Sequence, residues 1–227
     1  MKNVVLGVAA LAASFGGVAQ GVIIDITVPG TTLADVVGNE FQVGDKLFSL
    51  SPTAFSSAIF TADDIFISPV VNADPATGEG FRLTGAWNDA PGGGASQFNL
   101  TYDVAVLPAF LAAGNRINLA ESRFNGFATG AGSLASVDAN LTVEAIGAGS
   151  LSIFNNGVTA DFMDEQSLNN LSNLRMSALG SFTATGDLGT AGASFLDFSF
   201  GRSIIPTPGA AIGLLSGLAT ITLRRRR

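Results

Sequence analysis

The chain of 227 residues contains no histidine and no cysteine. The lack of histidine excludes histidine-activated nucleophiles, histidine-containing zinc sites and the commonest general base of enzymes. The lack of cysteine excludes disulfides, so the folded part must be stabilised by burial, which a domain of this length can supply. Both absences favour a protein without catalytic activity and without a cofactor.

Tryptophan and tyrosine are nearly absent, with one residue of each against 17 phenylalanines. Glycan-binding sites tend to present tryptophan and tyrosine, whose polar groups suit a half-wet surface, so this composition favours aromatic residues that fill a core. Nucleophile-elbow and phosphate-loop motifs are missing too, and the run Gly92-Gly93-Gly94 lacks the lysine and helix that would make it a phosphate loop. We interpret that run as a flexible linker.

Basic residues are scarce between the two ends of the chain. Without Lys2 and the four terminal arginines, six basic residues remain against all 18 acidic ones, which gives the body a charge of −12. Such a body repels nucleic acid phosphates and anionic lipids, so neither is an expected partner.

The first residues have the pattern of a secretory signal peptide, predicted over Met1 to Ala19. Lys2 supplies the positive start, an apolar stretch runs from Val4 to Ala13, and the small residues Gly17 and Ala19 precede the expected cleavage. An uncleaved anchor would need a longer apolar run. Export through Sec-type machinery is therefore expected.

The last stretch, Ile204 to Arg227, combines a proline pair, an apolar run and a basic end. Proline fixes its backbone dihedral and lacks an amide donor, so the segment before Gly209 should be extended. The apolar run from Ala210 to Leu223 is shorter than the roughly 20 residues that a bilayer core requires. It can still span if the bilayer thins or the arginines extend to the interface. A buried C-terminal helix with a basic end is the alternative.

This tail resembles the PEP-CTERM sorting signal of exported bacterial proteins, in which a Pro-Glu-Pro motif precedes a short transmembrane helix and an arginine cluster. Thr207 stands where the family has glutamate, so the tail is a variant of the pattern. The resemblance implies processing by an exosortase-like membrane enzyme and delivery to the envelope or the extracellular matrix of a biofilm. The motif falls on Pro206, Thr207 and Pro208, and the cytoplasmic basic stop on Arg224, Arg225, Arg226 and Arg227.

The body between these ends has the period-two alternation of β-strands, with turn-forming residues between the segments. Only Asp161 to Leu171 suggests a helical turn. We predict an all-β fold, an antiparallel β-sandwich or jelly-roll-like domain, followed by the short transmembrane helix. Strands are expected at Val22–Val28, Ser56–Ala62, Asp64–Val71, Phe81–Trp87, Gln97–Leu107, Ile117–Phe124, Ser136–Gly147, Leu151–Phe154, Leu174–Thr185 and Ala193–Phe200.

Two acidic groups are the main places where chemistry could occur: Asp63-Asp64, and Asp161 with Asp164 and Glu165. Either group could ligate Ca²⁺, although neither has the order of an EF-hand loop, and solvated loop charge is the simpler interpretation. A carboxylate pair could also serve a glycoside hydrolase. Arg82 and Trp87 could line a groove, but the simpler expectation is that Arg82 pairs with a carboxylate and Trp87 caps the core. No catalytic and no metal-ligating residue is assigned.

These observations predict a signal peptide over residues 1–19, an ectodomain over 20–203 and a sorting tail over 204–227. The expected function is structural or adhesive, in a biofilm or exopolysaccharide, without enzymatic activity. The alternatives are a calcium-assisted carbohydrate-binding module and a hydrolase that uses a carboxylate pair. Expected partners are the exosortase-like enzyme, the export machinery and exopolysaccharide.

Overall fold

A computed structural model describes residues 22–71, 78–89 and 95–205. The predicted signal peptide, the motif at Pro206, Thr207 and Pro208, and the apolar run with its arginines lie outside these residues. None of the helices in the described part has the length and apolar character that a membrane span needs. The strands are β1 Ile23–Ile24, β2 Glu40–Val43, β3 Lys46–Ser49, β4 Phe55–Ser57, β5 Phe66–Val71, β6 Glu79–Asp89, β7 Ser96–Val106, β8 Asn115–Phe124, β9 Phe127–Thr129, β10 Leu134–Val143, β11 Ile146–Asn155, β12 Ala160–Asp161, β13 Met163–Leu171, β14 Asn173–Thr183 and β15 Thr190–Ile204; the helices are α1 Leu33–Val36 and α2 Pro108–Ala112, with a 3-10 turn at Ala62–Asp64.

The strands form two sheets. The nine-stranded sheet has the order β1-β2-β3-β7-β14-β10-β11-β12, with β4 also paired to β7. The six-stranded sheet has the order β13-β8-β15-β6-β5, with β9 also paired to β15. Among the described strands every pairing is antiparallel except that of β1 with β2. The prediction of an all-β, antiparallel sandwich is confirmed.

Alternation along the central strands determines which residues enter the core, because successive side chains of a strand point to opposite faces. Along β7, Phe98, Leu100, Tyr102, Val104 and Val106 alternate with Gln97, Asn99, Thr101, Asp103 and Ala105, which predicts that the first set faces the core. The structure buries that set. The apolar faces of the two sheets meet in one cluster of rings. Phe81 of the six-stranded sheet lies at its centre, with ring centroids 5.4 Å from Phe41, 5.4 Å from Phe48, 5.1 Å from Tyr102 and 5.7 Å from Phe198.

The predicted helical turn over Asp161 to Leu171 is wrong. Met163–Leu171 forms β13, which pairs with β8 at the edge of the six-stranded sheet. Pairing with β8 gives this segment backbone hydrogen bonds that do not require a helix, so the weak local helical pattern does not decide its conformation.

Three predicted strands are interrupted by local turns. The predicted strand Ser136–Gly147 is split between β10 and β11, because Glu144 and Ala145 adopt φ of 48° and 67° in a two-residue hairpin turn. The strand predicted from Val22 ends early because the Asp25 carboxylate accepts hydrogen bonds from the amide and hydroxyl of Thr27. The predicted strand Ser56–Ala62 is interrupted in the same way. The Ser57 hydroxyl accepts hydrogen bonds from the backbone amides of Ile59 and Phe60, and β4 ends at Ser57.

The two short helices were not predicted. At the start of α1, the amide and the hydroxyl of Thr32 both donate to the Asp35 carboxylate, and α2 begins with Pro108, whose fixed φ suits a first helical position. Each helix is four or five residues long, too short for a 3.6-residue period to become visible in the sequence.

Candidate functional site

The outer surface of the nine-stranded sheet carries an array of mostly polar side chains, here called the polar face. It consists of alternate residues of three neighbouring strands, β7, β14 and β10, whose other residues enter the core. The burial pattern of these strands leaves the array open to solvent. Its polar members are Gln97, Asn99, Thr101, Asp103, Arg175, Ser177, Ser181, Asp138 and Asn140, and Leu179, which is 39% exposed, lies among them on β14.

Hydrogen bonds between neighbouring strands hold this array in place. The hydroxyls of Thr101 and Ser177 lie 3.0 Å apart, and the Ser152 hydroxyl on β11 donates to Asp138 Oδ1 at 2.6 Å. Cross-strand pairs of this kind limit the rotamers of short side chains. The polar face therefore presents hydroxyls and amides in a preset arrangement.

Arg175 and Asp103 form an ion pair on the polar face. Arg175 Nε and Nη2 donate to the two Asp103 carboxylate oxygens at 2.8 Å each, and the side chains stay 60% and 50% exposed. The hydrogen bond to Asp103, with the attraction between the charges, raises the pKa of Arg175. Arg175 is thus positively charged, and both side chains are open to a ligand.

A cleft of about 290 Å³ lies beside this pair. Its walls include Arg175 and Asp103 from the sheet and the segment that joins β3 to β4. A carboxylate acceptor, a guanidinium donor and several hydroxyls around one opening match the hydrogen bonds that the neighbouring hydroxyls of a sugar ring can make. The other lining residues are Ser49, Ser51, Thr53, Thr101 and Tyr102.

The two acidic groups singled out in the sequence do not form a metal centre. Asp64 accepts a hydrogen bond from the Thr61 hydroxyl beside the 3-10 turn. Asp164 accepts the backbone amides of Ser152 and Glu165, both at 2.8 Å. Within residues 22–71, 78–89 and 95–205, no three acidic side chains converge closely enough to hold a cation.

Glu165 instead meets Glu121 across the β13–β8 pair. A hydrogen bond with Glu121, together with burial and repulsion from its charge, raises the pKa of Glu165. Glu121 is only 3% exposed and is held by Arg123 Nε at 2.6 Å. Retaining glycosidases hold their two carboxyls about 5 to 5.5 Å apart so that the sugar fits between them. Two carboxyls in direct hydrogen-bond contact leave no such space.

The expected roles of Arg82 and Trp87 are confirmed. Arg82 donates twice to Asp197, at 2.7 Å each, and its guanidinium lies 4.2 Å above the ring of Phe195. Trp87 is fully buried against Phe60 and Phe98, so it belongs to the core.

Sequence reasoning did not single out Arg175 and Asp103, which are 72 residues apart. Alternation along β7 did place Asp103 on the outer face. The pairing of β7 with β14, which brings Arg175 opposite Asp103, leaves no local signal in the sequence.

No family model and no curated relative matches the chain. Among solved structures, three matches are carbohydrate-binding modules. The module TmCBM61 in complex with β-1,4-galactotriose has a TM-score of 0.26 and 10% identity, and the match covers 64% of this chain and 86% of the module. The module CBM36 in complex with calcium and xylotriose has a TM-score of 0.24 and 15% identity, with 64% and 98% covered.

The third match is a structure on the promiscuous specificity of carbohydrate-binding modules from the β-sandwich superfamily. It has a TM-score of 0.25 and 11% identity, with 71% of this chain and 75% of that chain covered. Scores this low carry no argument about function, which is therefore argued from the residues of this chain alone.

Proposed function

We propose that this protein is an exported, non-catalytic component of the cell envelope or extracellular matrix that contacts polysaccharide through its polar face. The observation that carries the proposal is the exposed, bidentate Arg175–Asp103 pair beside a cleft lined with hydroxyls. Charged hydrogen-bonding groups held in fixed geometry bind sugar hydroxyls more strongly than neutral ones do. The role is structural or adhesive, because Asp103, the one carboxylate among the described residues that line this cleft, already accepts hydrogen bonds from Arg175 on both oxygens.

The charge of the body restricts the class of polysaccharide. With 18 acidic residues against six basic ones between the two ends, the body repels polymers that carry uronate, sulfate or phosphate. The expected ligand is therefore a neutral glycan. Calcium assistance is the alternative, in which an added ion would bridge carboxylates and sugar hydroxyls.

Replacing Arg175 with alanine should weaken binding of a neutral oligosaccharide about 10- to 150-fold, because a lost hydrogen bond to a charged group costs roughly 1.5 to 3 kcal/mol. Titration calorimetry with a panel of neutral and anionic oligosaccharides measures this effect. Arg82→Ala is the matched control, since Arg82 forms the same bidentate pair on the opposite sheet.

Two results would contradict this assignment. One is equal weakening by Arg175→Ala and Arg82→Ala, and the other is a wild-type protein that binds none of the neutral glycans. Titrations with added Ca²⁺ and with a chelator separate the alternatives. Binding that requires Ca²⁺ supports the calcium-assisted module.

We further propose that the tail directs the protein to the inner membrane and is processed there by an exosortase-like enzyme. The support is the order of the three tail elements at Pro206 to Pro208, Ala210 to Leu223 and Arg224 to Arg227. The positive-inside rule keeps the arginines cytoplasmic and leaves the body on the outer side.

Changing both Pro206 and Pro208 to alanine should block processing, because the extended conformation before the apolar run would be lost. The result should be a persistent longer form on a gel of membrane fractions. Thr207→Glu, which restores the residue of the family pattern, is the control and should be processed normally. An unchanged ratio of long to short forms in the double variant would refute the sorting role.

A further inference from the structure

The most buried charged residues of the described chain lie together at the end of the sandwich where β15 finishes. Lys46 is fully buried, Asp45 is 1% exposed and Asn115 is 5% exposed. Asp45 lies in the turn before β3, Lys46 begins β3, and Asn115 begins β8. Burying a charge is costly unless it is paired, so this group calls for a specific explanation.

One carboxylate holds an amine and a carboxamide in this cluster. Lys46 Nζ donates to Asp45 Oδ1 at 2.7 Å, and Asn115 Nδ2 donates to Asp45 Oδ2 at 2.8 Å. Burial alone would raise the pKa of Asp45, but the hydrogen bonds from Lys46 and Asn115 outweigh it and lower that pKa. Asp45 is thus an ionised base in contact with the amine.

A second carboxylate completes the cluster. Glu79, at the start of β6, lies 3.9 Å from Lys46 Nζ and accepts the backbone amide of Asp45 at 3.1 Å. The group therefore connects both sheets, since β3 belongs to the nine-stranded sheet while β6 and β8 belong to the six-stranded one.

We propose that Lys46 and Asn115 become joined by an intramolecular isopeptide bond, with Asp45 as the acid–base group. In a dry site, transfer of a proton from the Lys46 ammonium to Asp45 replaces two buried charges with two neutral groups. The freed amine attacks Cγ of Asn115, and the bond from Cγ to Nδ2 then breaks. The proton that Asp45 took and one from the attacking nitrogen both end on Nδ2, which leaves as an ammonium ion, and Asp45 is again a carboxylate.

This reaction balances without an oxidant or a metal: an amine and a carboxamide give a secondary amide and ammonia. Groups held in one site react as if at effective concentrations of roughly 10⁵ to 10⁸ M, which offsets the low reactivity of a carboxamide. The bond would link the two sheets covalently in a chain that has no cysteine for disulfides. Asn115 also pairs with Ile204, so the link would secure the strand that leads to the tail.

Intact mass spectrometry of the purified full chain tests this proposal directly, after the terminal residues have been identified by peptide mapping. The wild type should be lighter than its sequence mass by one ammonia. Trypsin should not cleave after Lys46, and the peptide containing Lys46 should be attached to the one that ends at Arg116. A wild-type chain at its full sequence mass, with free Lys46, overturns the proposal.

Variants identify the groups involved. Lys46→Arg and Asp45→Asn should appear at full sequence mass, because the first lacks the amine and the second lacks the base. Asn115→Asp should lose one water in place of ammonia, since its carboxyl gives the same amide. A mass loss that persists in Lys46→Arg would show that another residue is modified and would overturn the assignment. The result is independent of glycan binding, so either proposal can fail alone.

Discussion

Replacing Phe81 with alanine should lower the free energy of unfolding by about 3 to 5 kcal/mol, the usual cost of removing a phenylalanine from a packed core. Phe81 is fully buried, and its ring contacts aromatic rings from both sheets, including Phe48 and Phe198. The alanine would leave a cavity at the interface of the two layers, where strands on either side are too well paired to collapse into it. Urea denaturation followed by the fluorescence of the buried Trp87 measures the change.

Phe66→Ala is the matched control, because Phe66 lies on β5 of the same sheet but is 50% exposed. Its replacement should cost less than about 1 kcal/mol, since surface substitutions rarely cost more. Equal losses for the two variants would mean that the ring cluster around Phe81 is not the centre of the core.

Replacing Gly80 with alanine should destabilise the protein by about 2 to 3 kcal/mol, at the upper end of the cost of overpacking. A methyl group at Gly80 would overlap the carbonyl oxygen of Phe198 and lie 2.7 Å from Cα of Ser199. Both are backbone atoms of β15, the central strand of the six-stranded sheet, so neither can rotate away as a side chain would. The expected result is a lower urea midpoint with little change in slope.

Gly147→Ala is the control for this effect. Gly147 also lies in a strand, on β11, and no atom lies within 4 Å of an added methyl group there. Alanine is favoured over glycine in a strand because the unfolded chain loses less entropy, so this variant should be neutral or slightly more stable. If Gly80→Ala were equally neutral, β6 and β15 could not be as close as described.

Alternation was enough to predict the core faces of the long strands. Tyr102 and Val104 on β7, and Phe198 on β15, are buried as expected, because a period of two places every second residue on one face whatever the partner strand is. The same rule assigned Asp103 and Asn140 to the outer face. Alternation did not predict the strand ends that are set by side-chain hydrogen bonds, as at Asp25, because each of these ends depends on a single contact.

The sites depend on contacts between distant parts of the chain. Pairing of β7 with β14 brings Arg175 to Asp103, and the packing of one sheet on the other brings Asn115 to Asp45, 70 residues away. No local period encodes which strand lies next to which, because that choice follows from burying the whole apolar surface at once.

The sequence by itself determined the β-rich class, the acidic body, the lack of histidine and cysteine chemistry, and the predicted sorting signals at its ends. These properties follow from composition and short-range periodicity, which need no knowledge of the neighbouring strands. Only the tertiary structure decided that hydroxyls and one ion pair share an open sheet face, and that a lysine and an asparagine share one buried carboxylate. Such groupings arise when residues far apart in the chain are brought within hydrogen-bond distance by folding.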